Sequence, residues 1–159
     1  MLTAFVSACA VLKPAAPEVE DSFGHRVEGQ TEDGRTTIAI TPARDGVEYR
    51  LFDASYDNVT IRPAEVTAAN RASGVAVEVL VKGSFPDSCS ELHEVDQQRA
   101  GNLILVTLTM RRPQGGVCAS VLRPYRYYVD LDGNYIPGSY SMKLNDVSHP
   151  FVVNTPVAN

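Results

Sequence analysis

The sequence predicts an all-β protein, an immunoglobulin-like β-sandwich of about seven strands with an N-terminal β-hairpin extension. Three observations lead there. Apolar and polar residues alternate at period two through the second half of the chain, turn-forming residues interrupt these runs at short intervals, and no stretch carries an apolar stripe at helical spacing. A chain of 159 residues, 44% hydrophobic and 21% charged, is long enough to bury a core of its own.

The stretch GRTTIAITPARDGVEYRLF reads as a hairpin, with strands at Thr37 to Thr41 and Val47 to Leu51 and a turn across Pro42 to Gly46. VTIRPAEV, from Val59 to about Val66, opens the sandwich, and Pro63 confines it to an edge or a kink. In GVAVEVLVKG, Val75, Val77, Val79 and Val81 point one way while Glu78 and Lys82 point the other. NLILVTLTMRR reads as a central strand covered on at least one side. PYRYYVDLDG sets Tyr125, Tyr127, Val129 and Leu131 on one face against Arg126, Tyr128 and Asp130. GSYSMKLND sets Tyr140, Met142 and Leu144 against Ser141, Lys143 and Asn145, and HPFVVN supplies a short closing strand. Breakers separate these runs at Ala72-Ser73-Gly74, Ala100-Gly101-Asn102, Gln114-Gly115-Gly116, Asp132-Gly133-Asn134 and Pro137-Gly138. A single helical turn is expected at most, at Val117 to Leu122. Tryptophan is absent, so the buried Trp of antibody domains has no counterpart.

The first residues, MLTAFVSACA, are small, apolar and uncharged, and a Pro/Ala/Glu linker follows them. Val6-Ser7-Ala8-Cys9 resembles the end of a bacterial lipobox, although the basic region of a full export signal is missing. The chain therefore divides into a signal remnant or lipoprotein-type tail and linker (1–20), an extension with the hairpin (21–55) and the sandwich (56–159). With Cys9 taken as a lipidation position, Cys89 and Cys118 remain, and both stand in turn-like settings beside strong strands. A disulfide between them is favoured over two free buried thiols, and it would contribute about 3–4 kcal/mol. Neither cysteine has the companions that a zinc site needs.

From Val75 to Val153 the chain resembles a module of exported bacterial proteins of uncharacterised function. The residues that carry the resemblance are Gly83, Pro86, Asp87 and Cys89, then Arg99, Gly101 and Asn102, then Arg112, Pro113 and Cys118, then Pro137, Gly138 and Tyr140. It implies an immunoglobulin-like sandwich bridged between the two cysteines, and it brings no catalytic residues. Most of the pattern has a structural reason: Pro86-Asp87, Gly101-Asn102 and Pro137-Gly138 suit turns, and Tyr140 suits a buried ring with a partner for its hydroxyl.

The net charge of −5 argues against nucleic acid, and no apolar run approaches the ~20 residues of a membrane span. Membrane contact is therefore expected only through Cys9. The histidines His25, His93 and His149 form no recognisable constellation with serine or aspartate, and the acidic run Asp130 to Asn134 lacks the remaining ligands of a calcium loop. No catalytic, cofactor or metal residue is expected. Arginine interleaved with tyrosine can stack on sugars, bases or aromatic ligands. Alternation sends Tyr125 and Tyr127 to the core and leaves Arg126 and Tyr128 as the exposed pair. The expected function is a non-enzymatic, exported binding module at the bacterial cell envelope with a protein or glycan partner; the alternative is an inhibitor or accessory subunit of a secreted enzyme.

Overall fold

A computed structural model describes residues 30–155, with ten strands and no helix among them. They are β1 (Gln30–Glu32), β2 (Arg35–Ala39), β3 (Tyr49–Asp53), β4 (Tyr56–Pro63), β5 (Val77–Phe85), β6 (Glu91–Ala100), β7 (Leu103–Pro113), β8 (Arg123–Asp130), β9 (Gly138–Leu144) and β10 (Val147–Val153). The larger sheet runs β1-β2-β6-β7-β9-β10 with β3 also on β7, and the smaller runs β4-β5-β8. The all-β sandwich expected from the sequence is the observed architecture. The tail, Cys9 and His25 lie outside the described residues.

Alternation builds both walls of the core. Val77, Val79 and Val81 of β5 are buried with Tyr125, Tyr127 and Val129 of β8. Opposite them lie Ile104, Val106, Leu108 and Met110 of β7, Tyr140, Met142 and Leu144 of β9, and Phe151 and Val153 of β10. Each fully buried side chain of this size contributes about 1.5–3 kcal/mol relative to exposure.

The expected Thr37 to Leu51 hairpin is not formed. β2 pairs with β1 and β6, whereas β3 pairs with β7, so two strands separate the two halves. The hairpin of this region is β1–β2, turned at Asp33 and Gly34, both in the left-handed region. The 40–48 segment instead crosses the sheet end, held by the guanidinium of Arg111. Arg111 is 1% exposed; it donates to the Pro42 carbonyl at 2.6 Å and to Glu91 at 2.9 Å, and stacks over Tyr49 at 4.3 Å.

The expected turn at Val117 to Leu122 is an open loop, while i→i+4 hydrogen bonds occur instead at Arg71 to Thr67 and Gly74 to Asn70. Edge strand β4 contains Pro63, as the proline required. Pro150 on β10, an edge strand of the larger sheet, obeys the same rule. Its partner Ser141 turns its N–H to Asn102, toward β7, so the missing N–H of Pro150 faces the free edge and costs no ladder bond.

β7 changes partner along its length: β9 runs parallel to it through Val106, and β3 antiparallel to it from Thr109. Asn145, in the β9–β10 turn, fills the gap. Asn145 and Asp146 both have positive φ, as a two-residue type I′ hairpin requires.

Candidate functional site

Two cations stand side by side on the outer face of the small sheet. Its register sets Asn58 of β4, Lys82 of β5 and Arg126 of β8 in one row across three strands. Val81, Tyr125 and Tyr127 point inward, so Lys82 and Arg126 point out. Directly opposed residues have Cβ atoms about 5 Å apart, and like charges there repel. Among the described residues the side chains of Lys82 and Arg126 have no ion pair or hydrogen bond.

The row borders a trough of about 520 Å³, lined by Asp57, Asn58, Lys82, Ser84, Pro124 and Arg126 with Gly83 and Tyr125 between them. Local geometry fixes its two sides. A bulge between Tyr56 and Asn58 leaves Asp57 as the extra residue of β4, which bends the strand there. Beneath, the Tyr125 hydroxyl donates to the Ser55 carbonyl at 2.7 Å, tying β8 to the start of β4. Burial raises the Tyr125 phenol well above its ordinary range, and the charge of Asp57 and then Tyr56 push it further. It remains a donor. Gly83 makes this bolt fit: a Cβ there would meet the Ser55 carbonyl at 2.5 Å and the Tyr125 ring at 2.7 Å.

Of the pair expected to be exposed, Arg126 is exposed and lines the trough, whereas Tyr128 is half-buried and lies one row away, between Asp130 and Arg126 on β8 and opposite Leu80. Lys82, Ser84 and Asp57 were not singled out as site residues by the sequence, and Asn58 stands out there only as the first residue of the glycosylation sequon Asn58-Val59-Thr60. Lys82 stands out there only as the polar alternate of a valine strand, and its pairing with Arg126 depends on a register between residues 44 apart in the chain, the difference of 126 and 82.

Cys89 and Cys118 form a disulfide with their Cα atoms 5.6 Å apart. Asp87 organises the turn around it. One carboxylate oxygen accepts from the N–H groups of Cys89 and Ser90 and from the Ser90 hydroxyl, and the other meets Arg112 at 3.3 Å. Burial alone would raise the Asp87 pKa, but these hydrogen bonds and Arg112 outweigh it and hold the carboxyl below the usual range. Asp87 and the two sulfurs lie close enough to suggest a metal site, yet both sulfurs are committed to each other. Arg123 locks the same turn to β8, donating to the Asp87 and Ser90 carbonyls. The loop that carries Cys118 leaves Val117 fully exposed and Val121 and Leu122 exposed.

The histidines are engaged structurally. His93 faces Arg111 at 3.5 Å and His149 faces the Tyr56 hydroxyl at 3.2 Å. The acidic run folds as a turn against β6: Gln97 donates to the Asp130 carbonyl and accepts from the Asp132 N–H. Tyr140 is buried and donates to the Ile136 carbonyl at 2.9 Å, the role expected of it.

The family model of the ORF11 β-sandwich domain matches residues 79–153. That span holds the disulfide and the cationic side of the trough, but not Asp57 or Asn58. Three relatives, all from Herpetosiphon aurantiacus, are each 32% identical over 72 residues, 45% of this chain. They are the "Uncharacterized 10.2 kDa protein in HgiCIIM 5'region", of whose length 77% is covered, and those of the HgiBIM and HgiEIM 5' regions, each 88% covered. No solved structure matches.

Proposed function

The chain belongs to the family of the ORF11 β-sandwich domain, and from that premise we propose that it is a non-enzymatic, exported immunoglobulin-like module that binds a partner at the bacterial cell envelope. The Cys89–Cys118 disulfide carries this reading, because such bonds persist in oxidising compartments and are rare where thiols are kept reduced. The trough supplies a place for a protein or glycan partner, and Cys9 supplies the means of tethering the module to a membrane. The test is fractionation of the full chain produced in a bacterium, with a radiolabelled lipid precursor and thiol alkylation before and after reduction. The expected product is in the envelope, labelled, and alkylated at Cys89 and Cys118 only after reduction. A reduced, unlabelled, cytoplasmic product defeats the reading.

One observation favours the second reading, an inhibitor or accessory subunit of a secreted enzyme. Val117, Val121 and Leu122 are exposed on a loop that the disulfide anchors, a rigid apolar presentation of the kind that fills a partner's pocket. Activities of envelope proteases measured with wild-type chain and with Val117→Asp test it: inhibition that the substitution removes supports it, and unaffected proteases reject it.

A further inference from the structure

Building on the binding-module reading, we propose that the trough on the small sheet takes an acidic saccharide, a glycan whose sugar rings carry carboxylates. Three features of the site select this chemistry. First, Lys82 and Arg126 are cross-strand neighbours that repel each other and have no anionic partner among the described residues. A carboxylate between them removes the repulsion, and a guanidinium can grip it through two parallel hydrogen bonds. Second, the remaining walls offer neutral hydrogen-bonding groups, the amide of Asn58 and the hydroxyl of Ser84, beside the ring of Pro124. These suit hydroxyls and the C–H face of a sugar. Third, Asp57 lines the same trough as the cations. Its carboxylate accepts hydrogen bonds from sugar hydroxyls, donors that the side chains of an acidic peptide lack, so it favours a saccharide over a peptide of equal charge. The trough of about 520 Å³ is of the size of small-molecule sites in general.

The experiment is calorimetric titration of the purified, oxidised full chain with tetragalacturonate, its methyl ester, maltotetraose and tetraglutamate. The expected result is binding of tetragalacturonate, weakened about tenfold or more by esterification and by either Lys82→Gln or Arg126→Gln. Rising salt weakens it as well. Asp57→Asn is expected to narrow the preference for tetragalacturonate over tetraglutamate. Both cations are outward-facing and unpaired, so circular dichroism and melting of the two Gln variants should match wild type and separate lost binding from lost fold. Absence of tetragalacturonate binding overturns the proposal. So do equal affinity for acid and ester, binding unchanged in both Gln variants, and tetraglutamate bound as tightly as tetragalacturonate, which would make the site one for acidic peptides. None of these outcomes bears on fractionation or the state of the thiols, so the ligand and the compartment fail separately.

Discussion

The side-chain amide of Asn145 pairs with the backbone of Leu108 as a neighbouring strand would. Oδ1 accepts from the Leu108 N–H at 2.8 Å, and Nδ2 donates to the Leu108 carbonyl at 2.9 Å. The same Nδ2 reaches the Ala54 carbonyl at 3.1 Å, and the Asn145 N–H donates to Val106. One side chain thus bridges the point where β7 passes from β9 to β3. Leu108 is fully buried, so its polar backbone has no water to fall back on.

Asn145→Ala should therefore cost about 2–4 kcal/mol, from lost hydrogen bonds and a Cβ residue without a local bond at positive φ. Asn145→Gly removes the backbone strain but not the lost bonds, so it should fall between Ala and wild type. Urea unfolding of the three proteins checks the order.

Removing the disulfide as Cys89→Ala with Cys118→Ala should lower stability by about 3–4 kcal/mol, as expected for a cross-link spanning 29 residues. The denaturation midpoint should fall. A midpoint equal to that of wild type would contradict the assignment.

Stability should decline in acid through Asp87 and Asp96. In each, burial alone would raise the pKa and hydrogen bonds reverse it, from Cys89 and Ser90 for Asp87 and from Arg35 and Thr37 for Asp96. Both pKa values fall below the ordinary carboxylate range of about 3.9, so the unfolded chain binds protons first as pH drops. Their contribution is whole above that value and is lost as pH falls through the lower folded values. Asp87→Asn should lower the midpoint at neutral pH and flatten its acid limb, read by urea titrations from about pH 2 to 7.

Gly83→Ala should destabilise by about 2–3 kcal/mol, because its methyl meets a backbone carbonyl and a held ring. Tyr125→Phe should cost about 1 kcal/mol for the bond to Ser55. Thermal melts of the single and double variants should show non-additive losses, since both act on one contact.

The strands that alternate cleanly are legible in the sequence: the valines of β5 and the Tyr/Val run of β8 bury the side chains that period two assigns inward. β6 is not. Its sequence ELHEVDQQRA breaks the period at a bulge between Leu92 and Glu94, and a core position is filled by Gln97, 1% exposed, whose amide serves the backbone of residues 130 and 132. Without β6 the partner of β2 was invisible, and the nearest apolar run, Val47 to Leu51, took its place. Gly101, with φ +63, turns β6 into β7 as expected of it. The trough needed register as well as alternation: facing is a local property of one strand, but which residue stands beside Lys82 is decided by a strand far along the chain.

The partner change along β7 has a consequence for a chain made from its N-terminus. β2 waits for β6 on its second edge, β3 for β7 and β4 for β5, so among the described residues the only strand pairing open to a nascent chain ending at residue 75 is β1 with β2. Two strands, β3 and β4, must emerge from the ribosome unpaired and stay unaggregated until later residues arrive. Folding is gated by the synthesis of the second half, and the first half is the part whose fate depends on how soon the rest appears.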